Sequence, residues 1–319
     1  MASSAASSSA PQILAPKVPQ SRQELRQILA DKTVETMRGI AAKNLTGKGI
    51  QYPEEYLMRI KAEKGAIPQE YLGFRTYGFA NKDFFVRVEK DKIHWRVKPN
   101  VNASDAIDAI FNKPSPTLVD CGIACTIALH KALLDTIGTE RYNKIFNGRL
   151  VLVSDPTVQD DMGLFTRSVR VNQIGHGTLV GFNNLKAYTK RHPFGLWASF
   201  NMCSLGNGRY VGLGTPQDGL TEPQIKELLA SEFNKPYDPL LGGIVPPQEL
   251  AKVLQENKIS EDQLLRGDDI QIKPENIPVM DPNFIQEFNL DMVEKVLATK
   301  SENLSYAGLV AWRKAHPPK

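Results

Sequence analysis

The segment VDCGIACTIALHKALLDTIG, running from Val119 to Gly138, leaves the fewest options for how this chain folds. Asp120 suits a helix N-cap and Gly138 the position just past a helix end. Between them most of the residues are apolar, with Thr126, His130 and Lys131 among the interruptions. A helix with apolar residues on every side belongs inside a protein, so the segment is expected to be a buried central helix. Cys121 then falls in its first turn, where free backbone N–H groups and the positive end of the helix dipole favour thiolate over thiol. The same residue also fits a small buried hydrophobe.

Composition narrows what surrounds that helix. A chain of 319 residues, 41% hydrophobic and 23% charged, has the make-up of a globular protein with one large or two medium domains. The net charge of +4 is spread along the sequence, which argues against a nucleic-acid partner. No apolar run approaches a membrane span, and the amino terminus lacks a basic stretch followed by an apolar core. The expected location is cytoplasmic, or exported without a cleaved signal as a secreted effector. Three cysteines make no disulfide framework and no spacing suits zinc. No metal or other cofactor is called for.

Around the central helix the periodicity divides the chain into four stretches. Residues 1–20, rich in Ser, Ala and Pro, read as a disordered leader. Residues 21–69 carry two amphipathic helices: Leu25, Leu29, Met37, Ile40 and Ala41 recur at helical spacing, and PEEYLMRIKAEKG repeats the habit after Pro53. The third stretch, 70–219, opens with an alternating segment from Asp83, with Val86 and Val88 on one strand of a hairpin and Ile93, Trp95 and Val97 on the other. His94 is expected to face solvent. A short helix at 103–111 leads to the cysteine helix, which is followed by strand-like RLVLVSD, HGTLVGF, GLWASFNMCSL and RYVGLG. A helix with a thiol at its start followed by antiparallel strands describes an α+β core. Residues 220–319 read as a helical appendage, including one helix over NFIQEFNLDMVEKVLATK.

A nucleophilic thiol needs a group that takes and returns protons, in cysteine acyl transfer usually a histidine oriented by Asn, Asp or Glu. Among five histidines, His130 lies mid-helix, His192 in a basic turn and His316 in the tail. His176 opens a strand after the cysteine helix, the order found in papain-like folds, and its neighbours Gly175 and Gly177 would let a substrate approach. Asn201, on the next apolar strand, could hold its imidazole in the needed tautomer. Asp120 has two readings: an N-cap with no chemistry, or a carboxylate that accepts the thiol proton.

The segments FRTYGF, HWRVKP, ASDAIDAIF, VDCGIAC and ALLDTIGTERYNKIF, spanning about Phe74 to Phe146, together resemble the bacterial spore-coat protein-glutamine gamma-glutamyltransferases (transglutaminases), compact relatives of the NlpC-type papain-like cysteine peptidases. A weaker match continues through GHGTLVGFNN and WASFNMCSLGNGRYVGLG. The resemblance selects Cys121 over Cys125 as nucleophile, because the reactive cysteine follows an acidic residue and precedes a DTIG run. It implies a papain-like core and a thioester mechanism on protein substrates, with a lysine amine giving a crosslink and water giving deamidation. It also implies an acidic partner on the WASFN strand, where this chain aligns Phe200. Three outcomes stay open: Asp120 serves alone in a slow enzyme, since a missing base costs about 10²- to 10⁴-fold; His176 and Asn201 complete a Cys-His-Asn triad, as in a peptidase or amidase; or the site is a degenerate, non-catalytic binding shell.

Overall fold

The structure, a computed structural model, describes residues 19–45, 49–67, 80–89, 93–113, 116–152, 161–237, 247–267, 269–278 and 280–317. Most of the leader, the FRTYGF segment, the tip of the expected hairpin and the His94 side chain lie outside these residues.

In chain order the elements that position the site are α1 (Arg22–Leu45), β1 (Ile50–Gln51), α2 (Pro53–Lys64), β2 (Phe85–Glu89), β3 (Ile93–Val97), α3 (Ala103–Asn112), β4 (Thr117–Leu118), α4 (Cys121–Ile137) and α5 (Thr139–Phe146). They continue with β5 (Val151–Leu152), β6 (Thr166–Ser168), β7 (Leu179–Asn183), α6 (Tyr188–Arg191), β8 (Ser199–Ser204), β9 (Arg209–Val211) and β10 (Leu220–Thr221). The last are α7 (Glu222–Asn234), α8 (Pro247–Glu256), β11 (Met280–Phe288), α9 (Leu290–Ala298) and α10 (Tyr306–Ala315). The architecture is α+β, as expected. A six-stranded sheet in the order β10-β9-β8-β7-β11-β6 is antiparallel throughout, and β2-β3-β5 form a smaller antiparallel sheet.

α4 is the centre of the packing. Ile127, Ala128, Ala132 and Leu133 have no exposed surface, and the helix lies between α1 and β8. The α1 residues Leu25, Leu29, Met37, Ile40 and Ala41 are all 2% exposed or less and join the same core, so the amphipathic stripe faces inward. Truncating a residue such as Leu133 to alanine would cost roughly 2–5 kcal/mol. His130, also fully buried, places Nδ1 2.9 Å from the Tyr142 hydroxyl of α5 and its ring edge against Phe146, which makes it a core residue.

In the hairpin, Phe85, Trp95 and Val97 are buried and Val86 is exposed. One expectation needs correction. The carboxyl-terminal stretch is more than helices, because Met280–Phe288 is a strand lying between β7 and β6. Ile285 is fully buried there, and the register shifts between Asp281 and Ile285, around Pro282, as expected where a residue without a backbone donor interrupts a ladder.

Candidate active site

The amino-terminal end of α4 meets the middle of β8. Asp120 caps the helix with its side chain, accepting from the Ile123 N–H at 2.7 Å. Cys121 therefore has a fixed place at the first helical position. Its thiol donates to the Ser199 carbonyl at 3.6 Å and accepts from the Asn201 backbone N–H at 3.3 Å and from Asn201 Nδ2 at 3.6 Å. Two donors from one residue converge on the sulfur, the arrangement that stabilises negative charge there.

Two glycines make room for the Asn201 amide. A Cβ at Gly122 would stand 3.2 Å from Nδ2 and 3.3 Å from Asp120 Oδ1; one at Gly181, directly across from Asn201 on β7, would stand 3.1 Å from Oδ1. Phe200, which the resemblance aligned with an acidic residue, is fully buried with its ring 5.0 Å from Trp197 and supplies no proton acceptor. Successive strand residues point to opposite faces, so its neighbour Asn201 is the one that reaches the thiol.

The electrostatics correct the expectation of a resting thiolate. Cys121 is 3% exposed, and burial pushes its pKa up to about 12; the Asp120 charge adds to the rise and the Asn201 donors pull against it. Desolvation outweighs the helix end, and the resting sulfur is a thiol. Burial also raises Asp120 to about 6, opposed by the Ile123 and Gly122 backbone N–H groups. Cys125, one turn along the helix, and Cys203 are fully buried, with pKa values raised by desolvation.

His176 does not join this cluster. Its Nδ1 is 3.1 Å from the Leu205 carbonyl and its Nε2 2.9 Å from Asp31 of α1. Gly177 bonds to Ser204 while Gly181 faces Asn201, so about 13 Å of strand separates His176's end of β7 from the thiol. The glycine expected to admit a substrate admits α1 instead: at Gly177, with φ +79°, a Cβ would lie 2.5 Å from Ala30 Cα. The Cys-His-Asn triad is therefore not assembled, and Asn201 serves the sulfur directly.

Tyr52, which the sequence reading did not single out, stands beside the site. Its buried ring packs 5.7 Å from that of Trp197, its hydroxyl donates to the Leu213 carbonyl at 3.2 Å, and its own pKa is raised by burial first and then by Cys121 and Asp120. It arrives from the α1–α2 connection, nearly 70 residues before the cysteine, and no local pattern marks it.

No group of three or more potential metal ligands occurs among the described residues, and no described helix is long and apolar enough to cross a membrane. No curated protein matches the chain. Among solved structures, a transglutaminase from Geobacillus stearothermophilus, without its C-terminal extension, superposes with a TM-score of 0.56 at 18% identity, covering 88% of this chain and 99% of that one. This is a likeness of fold. The family model for protein-glutamine gamma-glutamyltransferase matches residues 60–234, which is more than half of the sequence and contains Asp120, Cys121 and Asn201, and the chain belongs to that family.

Proposed function

We propose that this protein transfers the γ-acyl group of protein-bound glutamine through a thioester on Cys121, with Asp120 as the proton acceptor. The observation that carries the reading is a thiol that follows directly on the capping Asp120, feels the charge of that carboxylate and receives two Asn201 donors on its sulfur. In the first half-reaction the thiol proton passes to Asp120, the sulfur bonds to the γ-carbonyl carbon, and the carbon–nitrogen bond breaks as Asp120 returns the proton to departing ammonia. In the second, an amine or water gives a proton to Asp120 and attacks the thioester. The sulfur leaves and is reprotonated. Lysine as acceptor yields an isopeptide crosslink, water a deamidated glutamine.

The uphill transfer from a thiol near 12 to a carboxylate near 6 calls for a modest turnover. A second reading rests on the same burial: a site whose sulfur never ionises would bind glutamine-bearing partners without reacting. One assay separates the two. Incubated with a glutamine-donor protein and a labelled primary amine, the wild-type protein incorporates label and Cys121→Ala does not. Equal incorporation by both removes the acyl-transfer proposal, and none by either leaves the binding reading.

A further inference from the structure

On the Tyr52 side of the site lies a buried acceptor without a donor, beside a carboxylate. Asn44, near the end of α1, is 8% exposed and gives Nδ2 to Glu55 Oε2 at 3.4 Å, while its Oδ1 is sealed from solvent with no hydrogen-bond partner. A buried amide oxygen left without a donor carries a desolvation cost that a bound donor would relieve. Glu55 is at the surface in the first turn of α2, and no cation among the described residues pairs with it. Arg59 and Lys235 act on its charge without bonding to it: Arg59 donates to Gln51 Oε1 at 2.7 Å, and Lys235 pairs with Glu232 at 2.6 Å.

This pair is connected to the reaction centre through Tyr52. At Gly214, with φ +84°, a Cβ would lie 3.1 Å from Tyr52 Cε2 and 3.8 Å from Asn44 Nδ2, so the Tyr52 ring and the Asn44 amide meet over one bare stretch of backbone. Tyr52 also packs against Trp197, two residues before the Ser199 carbonyl that holds the thiol.

We propose that Asn44 Oδ1 and the Glu55 carboxylate form a docking point for a primary ammonium, where the lysine side chain of the acyl acceptor is captured before it passes Tyr52 to reach the acyl-enzyme. Both groups only accept hydrogen bonds and one is anionic, which disfavours an anion and suits a group carrying three donors and a positive charge. The role in acceptor capture rests on the acyl-transfer reading above, whereas ammonium binding does not.

The test keeps the two apart. Cys121→Ala protein, which cannot be acylated, is titrated with N-acetyl-lysine methylamide and followed by the side-chain amide resonances of Asn44. The expected result is a saturable shift, about tenfold weaker in affinity when Glu55→Gln is added and absent with tetramethylammonium, which has no N–H. A water molecule in this place would give no saturation. No shift, or the same affinity in Glu55→Gln, overturns the proposal. In protein with intact Cys121, Glu55→Gln raises KM for the amine about tenfold relative to KM for the glutamine donor while kcat moves less, and equal changes in both KM values overturn the acceptor role. If that protein turns over no glutamine at all, the acyl-transfer reading fails and the titration still decides the docking point.

Discussion

Replacing Asp120 with asparagine separates the two functions that this residue combines. Asparagine caps a helix about as well as aspartate, so the bond to the Ile123 N–H survives and the cysteine helix keeps its start. What disappears is a carboxylate raised from 3.8 to about 6 by burial. A carboxylate whose folded pKa lies above its unfolded one favours folding most when protonated, and that benefit is lost as pH rises through the folded value. The difference is about 2 units, or roughly 3 kcal/mol at 1.36 kcal/mol per unit. Asp120→Asn is therefore more stable than wild type by up to about 3 kcal/mol above pH 6, and the gap closes below pH 4.

Activity moves the other way. With the thiol at about 12 and the carboxylate at about 6, proton transfer costs at most roughly 8 kcal/mol, because Asp120 no longer repels the thiolate once it holds the proton, and this is under half the ~17 kcal/mol barrier of a reaction turning over once per second. That leaves room for a working enzyme only while the acceptor is present, and its removal costs about 10²- to 10⁴-fold. Denaturant titrations of both proteins at pH 7.5 and pH 4, together with amine incorporation at pH 7.5, measure the two effects. Activity of Asp120→Asn within threefold of wild type would refute the proton-acceptor role. Equal stability of the two proteins at pH 7.5 would refute the claim that this carboxylate sits at an energetic cost.

Further outcomes follow from the same geometry. Wild-type kcat/KM falls as pH drops through about 6, where Asp120 gains its proton, and a profile flat from pH 7.5 to 5 would place the base elsewhere. Gly122→Ala pushes a methyl group against Asn201 Nδ2 and Asp120 Oδ1, so turnover drops about tenfold while thermal stability holds, the helix itself preferring alanine by up to about 1 kcal/mol. His176→Ala retains turnover within about twofold and loses roughly 1–2 kcal/mol, because it breaks a half-exposed pair with Asp31 and a bond to the Leu205 carbonyl, both remote from the thiol; a near-total loss of turnover would restore the triad.

The cysteine helix was readable because its evidence is local: an N-cap, a glycine stop and apolar residues on every face. The amphipathic helices were readable for the same reason. NFIQEF reads as helix because Phe284, Ile285 and Phe288 fit a helical period as well as they fit a bulged strand, and Pro282 just before it suits a helix start as well as a strand bulge. At the site, Cys121, Asp120 and Asn201 were all named from sequence, yet their relation was not. Whether Asn201 meets an imidazole or a sulfur depends on the strand register, and a shift of one residue exchanges it with Phe200. The resting protonation of the thiol was missed because desolvation is set by neighbours distant in sequence, such as Tyr52. The glycines beside His176 were correctly seen as admitting a close approach, but nothing local says that the guest is Ala30 of α1.

The central claim, that the sulfur of Cys121 carries the acyl group, is tested most directly by trapping. Protein mixed with a glutamine-containing peptide in the absence of amine is quenched in acid during turnover, digested and mapped by mass. The account predicts the peptide acyl group, added with loss of ammonia, on the fragment containing Cys121 and its disappearance when amine is supplied. Turnover of the peptide with the adduct on Cys125 or Cys203, or with no adduct on any cysteine, would contradict it.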